Sequence, residues 1–103
     1  MSWGTIEIEP EVDAWLESLP ARSFGRVERY IDLLAERGVD FGEPHSRQLW
    51  GKLRELRFEL DHRAIRISYF IRPGRRIVLL TVFQKTRRRE RLQVARAVRA
   101  MSR

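Results

Sequence analysis

Residues 53–84 read LRELRFELDHRAIRISYFIRPGRRIVLLTVFQ, and their patterning decides the fold. Leu56, Phe58 and Leu60 alternate with Glu55, Arg57 and Glu59. After Asp61 and His62, a second alternation sets Ile65, Ile67, Tyr69 and Ile71 against Arg66, Ser68, Phe70 and Arg72. A period of two belongs to strands with one buried face. Arg72-Pro73-Gly74-Arg75 supplies a turn, and Ile77 to Phe83 is apolar on both faces, as expected of a central strand. With Asp61 and His62 as a hairpin loop, the register sets Arg57 directly opposite Arg66, on the face away from Phe58 and Ile65. Carried across the next turn, the register brings Lys85 to that face as well.

Outward from these strands the period changes. On the N-terminal side, residues 3–9 alternate and make a short strand with Ile6 and Ile8 on one face. Pro10 suits a first helical turn, and Val12, Trp15, Leu16 and Leu19 follow at helical spacing up to Pro20. A second helix starts near Ser23 and turns Phe24, Val27, Ile31 and Leu34 inward, with Gly38 placed as its C-terminal glycine. Residues 39–51, with Gly42, Pro44 and Gly51, read as a loop. Past the strands, residues 88–101 form a helix with Leu92, Ala95, Val98 and Met101 on one side. The order is βααβββα. It describes a single α+β domain over residues 1–103, with the helices on one face of a small, mainly antiparallel sheet.

Composition removes several classes of function. At 103 residues and 43% hydrophobic, the chain holds one core and is not a disordered segment. No stretch reaches the ~18 consecutive apolar residues of a membrane span, and the N-terminus lacks a basic region followed by an apolar run. A cytoplasmic protein without membrane contact is expected. There is no cysteine, so neither a disulfide scaffold nor a thiolate metal site is possible. His45 and His62 are too far apart for the usual zinc spacings and read as solvated loop residues. The acids of the second half form no oxygen-rich cage for Mg²⁺, so no metal and no cofactor is expected.

The charge is divided unevenly. Residues 1–46 hold 10 acidic and 4 basic residues, whereas residues 47–103 hold 4 acidic and 17 basic ones. Nineteen of the 21 cations are arginine, whose planar fork matches phosphate. A polyanion, above all nucleic acid, is the partner this asymmetry implies for the second half. Arg57 facing Arg66 sharpens the expectation, because like charges directly opposite destabilise a sheet. Either both fan into solvent, screened by Glu59, or an anion sits between them. With Lys85 they would form a cationic cluster able to hold a phosphate. Arg66 would lie away from the core, so its truncation would remove no packing. The run Arg87, Arg88, Arg89 and Arg91, with Lys52 and Arg54, extends the candidate phosphate contacts. Trp15 and Tyr69 read as core, and Trp50 as packing over the core edge.

Three stretches resemble a known family. Leu49-Trp50-Gly51-Lys52-Leu53-Arg54-Glu55-Leu56-Arg57 is similar to the L-x-G-L-x-E-L-R stretch of phage-derived RelE/HigB-type toxins. Arg66-Ile67-Ser68-Tyr69 resembles their Y-R-x-x-Y strand, with Ile65 in place of the first aromatic. Phe83-Gln84-Lys85-Thr86 resembles their F-x-K-K or F-x-K-T strand end. The resemblance implies a RelE-like fold and the toxin of a type II toxin–antitoxin pair. It further implies a ribosome-dependent mRNA endonuclease that needs no metal, with 2′-hydroxyl attack on the scissile phosphate. The implied partners are the ribosome, mRNA and a cognate antitoxin of helix-turn-helix type. Carried over by position, Arg66 stabilises transition-state charge, Arg57 positions the phosphate and Lys85 carries a proton. Residues 86–103 contain no Tyr or His, which several relatives place there, so Glu59 or Lys52 is an alternative for proton transfer. A relative of ParE type, holding nucleic acid or gyrase without cutting RNA, is the alternative function for the same face.

Overall fold

The computed structural model describes residues 2–86 and 90–103. The elements are β1 (Thr5–Ile8), α1 (Pro10–Glu17), α2 (Ala21–Arg37), a 3₁₀ turn (Gly38–Asp40), β2 (Ser46–Trp50), β3 (Leu53–Leu60), β4 (Arg63–Arg72), β5 (Arg76–Gln84) and α3 (Glu90–Met101). They form an α+β, RelE-like architecture. The sheet order is β1-β5-β4-β3-β2, with β1 parallel to β5 and every other pairing antiparallel.

The β3–β4 hairpin follows from its turn residues. Asp61 and His62 take φ of 51° and 65°, and two consecutive positive φ values match the right-handed twist of the flanking strands. Leu60 therefore pairs with Arg63, and Arg57 lies directly opposite Arg66, as the pattern required. Three differences arise where sequence signals are weak. Residues 46–50, expected in a loop, are the edge strand β2, which pairs with β3 from Ser46 opposite Leu56. The helices, expected on one face, cover both. Val12, Leu16, Val27, Ile31 and Leu34 pack against Leu56, Phe58, Ile65, Ile67, Tyr69, Ile77 and Leu79. On the opposite face α3 lays Ala97 and Ala100 over Leu53, Phe70, Val78 and Leu80. Phe24 is exposed rather than inward, and Ser23 takes the buried position beside it.

The tie between the layers is polar. Glu11, in the first turn of α1, accepts the Val82 backbone N–H at 2.8 Å and pairs with Arg96 of α3. That contact fixes α3 against the end of β5, beside the surface that carries Arg66.

Candidate functional site

The candidate site grows from strand parity. Residues 55, 57 and 59 of β3 share a face with residues 64, 66 and 68 of β4, and α3 covers only part of it. Arg57 and Arg66 are set side by side there, and Glu55 lies two residues along β3 from Arg57. The Glu55 carboxylate supplies the anion between them. One oxygen, Oε2, lies 3.5 Å from Arg57 Nε and 3.8 Å from Arg66 Nε. The Arg66 guanidinium also donates to the Ile65 carbonyl at 3.0 Å, and Arg57 reaches Glu43 at 3.4 Å. Neither arginine fans into solvent. Arg66 is only 8% exposed, so the expectation that its truncation removes no packing is overturned.

Both charges are strained by this placement. Burial raises the Glu55 carboxyl above its usual range, and the nearby Arg66 and Arg57 only partly oppose the shift. Burial also lowers Arg66, and Arg57 adds to the effect while Glu55 and Glu90 oppose it. The cause is geometric: contacts of 3.5–3.8 Å are longer than charge-assisted hydrogen bonds and recover little of the lost hydration. Among the described residues, buried Arg57 Nε has no hydrogen-bond partner, its contact with Glu55 being an ion pair at 3.5 Å.

The other expected residues are distributed as follows. Lys85 follows β5, where its backbone N–H bonds the Ala64 carbonyl at 2.7 Å; its ammonium pairs with Glu90 at 3.4 Å. It thus flanks the arginine pair through an acid rather than joining it directly. Arg54 does not join the cluster. It lies on the opposite face, reaching Ser46 Oγ at 3.2 Å and Tyr69 Oη at 3.4 Å. Lys52 is exposed at the β2–β3 turn, and Arg91 is exposed on α3 beside Trp50. Arg87, Arg88 and Arg89 lie outside the described residues. Trp50 does not pack over the core edge but is 60% exposed, whereas Tyr69 is fully buried as expected.

Sequence reasoning missed Glu55, Arg47, Glu90 and His45. Glu55 had a visible signal, the same parity as Arg57 at a spacing of two. Arg47, opposite Glu55, is hidden in the sequence because β2 has no alternating apolar face. His45 is half-buried rather than solvated, with its ring 5.3 Å from Tyr30 and 6.0 Å from Phe41. Among the described residues, no group of three His, Asp or Glu side chains is placed to hold a metal ion, and no helix is long and apolar enough to cross a membrane.

Comparison with known proteins agrees with this fold. Among solved structures, the chain is similar to a chain of an archaeal RelE–RelB complex from Pyrococcus horikoshii OT3. The identity is 23%, coverage is 85% of this chain and 100% of that one, and the TM-score is 0.62. It is similar to a chain of the toxin–antitoxin complex RelBE2 from Mycobacterium tuberculosis at 20% identity, with 80% and 98% coverage and a TM-score of 0.58. An E. coli RelE toxin carrying two arginine-to-alanine substitutions, in the free state, matches at 12% identity, with 96% and 97% coverage and a TM-score of 0.66. No curated protein sequence matches. The family model described as phage-derived protein Gp49-like (DUF891) matches residues 14–102. This chain therefore belongs to the phage-derived Gp49-like family.

Proposed function

We propose that this Gp49-like chain is the toxin of a type II toxin–antitoxin pair and cuts mRNA on the ribosome without a metal ion. The observation that carries the reading is Arg57 directly opposite Arg66 on the incompletely covered sheet face. In the reaction, the 2′-hydroxyl oxygen attacks the adjacent phosphorus, the bond to the 5′-oxygen breaks, and negative charge grows on the non-bridging oxygens. Arg57 positions the phosphate, and Arg66 stabilises that charge. Lys85, paired with Glu90 at 3.4 Å, adds positive charge once Glu90 releases it. The exposed Lys52 and Arg91, with Arg87, Arg88 and Arg89, contact ribosomal or messenger phosphates. The fold likeness to RelE chains solved with and without antitoxins supports a cognate antitoxin as partner.

A second reading has its own support. The Glu55 carboxylate already occupies the space between the arginines, which suits a non-catalytic toxin that grips nucleic acid or gyrase with the same face. Brief induction followed by a primer-extension map of cellular mRNA separates the two. Cuts at fixed codon positions, retained in a purified translation system when metal is chelated and ribosomes are kept intact by other means, support the endonuclease. Intact message accompanied by DNA damage supports the gyrase-directed toxin.

A further inference from the structure

β2 pairs with β3 only as far as Leu56, and His45 then meets the backbone of Arg57, whose N–H bonds the His45 carbonyl at 2.8 Å. Beyond it a groove of about 350 Å³ runs over the end of β3. Its lining includes Arg57 and Arg66, and also Tyr30, Phe58, Glu59 and His45. Tyr30 stacks on Phe58 at 4.9 Å and 12°, giving the groove an aromatic wall beside its cationic one. A cation pair next to aromatic rings is the chemistry that recognises one nucleotide unit, phosphate on one side and base on the other.

His45 is held in a defined tautomer. Its Nδ1 lies 3.3 Å from the Arg57 carbonyl oxygen, which can only accept, so Nδ1 carries the hydrogen. In the neutral ring Nε2 is then the basic atom. The residue that orients the ring is the same one whose guanidinium belongs to the phosphate pair. The charged and titratable groups around the imidazole are Tyr30 from α2, Glu43 from its own segment, Arg57 and Glu59 from β3, and Arg66 from β4.

We infer that His45 is the catalytic base of a nucleotide subsite in this groove, an inference that rests on the endonuclease reading above. Nε2 takes the proton of the 2′-hydroxyl as that oxygen bonds to phosphorus. The 5′-oxygen leaves with a proton from water, and the hydroxide so formed is neutralised by the imidazolium. The products are a 2′,3′-cyclic phosphate and a 5′-hydroxyl, with His45 returned to its neutral form.

The test is single-turnover cleavage of ribosome-bound mRNA by the purified full chain, with ribosome affinity and thermal melting measured on the same samples. His45→Gln keeps a donor for the Arg57 carbonyl but has no base, and should cut roughly 100-fold more slowly at unchanged affinity. His45→Ala should regain activity on addition of imidazole. Wild-type cleavage matched by His45→Gln overturns the inference and leaves the endonuclease reading standing. Early melting of both variants with no imidazole rescue assigns His45 to packing and also overturns it. A wild-type chain that cuts no ribosome-bound mRNA removes the endonuclease reading and His45 with it.

Discussion

Glu55 Oε2 sits 3.5 Å and 3.8 Å from two guanidinium nitrogens, close enough for attraction and too far for short hydrogen bonds. Its carboxyl is therefore raised from its usual value of 4.5, burial being the leading cause. A carboxyl whose folded-state pKa is raised contributes stability that is present in full below its unfolded value and lost as pH rises through the folded one. At neutral pH the ionised Glu55 thus costs stability. Glu55→Gln should melt at an equal or higher temperature than wild type at pH 7, and the gap should close as pH falls toward 4.5. A variant that melts far below wild type at pH 7 would show that the ion pairs outweigh burial. Arg66→Ala acts in the other direction. It removes a buried cation and leaves Glu55 with Arg57 alone, so stability should fall by about 2 kcal/mol at neutral pH in chemical denaturation. From the sequence the same change looked neutral, because parity separates the faces of a sheet and does not report that α3 shelters the second face.

The elements differ in how far the sequence announces them. β3 and β4 were legible because strict alternation and the Asp61-His62 turn leave one register. β2 was hidden: Ser46–Trp50 is a five-residue edge strand with a bulge between Gln48 and Trp50, and it has no alternating apolar face. Lys85 reached the expected face through two slips that cancel. Arg72 pairs with Arg76 rather than Arg75, and a bulge between Ser68 and Tyr69 adds a second residue on β5, so the parity is restored. Neither slip has a signature in the side chains. The end of α2 was legible because it requires a glycine. Gly38 takes φ of +53°, and a Cβ there would lie 2.1 Å from the Trp3 ring. Gly38→Ala should therefore cost about 2 kcal/mol or more in thermal melting, from the left-handed backbone and displacement of Trp3 together. An unchanged melting temperature would mean that Trp3 does not hold β1 against the end of α2.

Across the whole molecule, charge and fold divide the chain in the same place. The acidic residues 1–46 build β1 and the two helices of one layer, and the basic residues 47–103 build most of the sheet and α3. The basic character of the second half was legible in this asymmetry, whereas the acids among its arginines were not, because four acids among seventeen cations carry little weight in a sum. If the basic half meets phosphate, affinity for ribosomes should fall steeply with salt as counterions are released. Arg91→Gln should reduce the logarithmic salt slope by about one while the fold is kept. An unchanged slope would return Arg91 to the solvated surface. The central claim is narrower: Arg57 and Arg66 act on one and the same phosphate. A double-mutant cycle in single-turnover cleavage of ribosome-bound mRNA tests it most directly, using Arg57→Gln, Arg66→Gln and both together, each checked for folding. Each single change should slow cutting by roughly 100-fold, and the double variant should be little slower than the worse single one. Losses that multiply would place the two arginines on separate groups, and single variants that cut at the wild-type rate would contradict the site altogether.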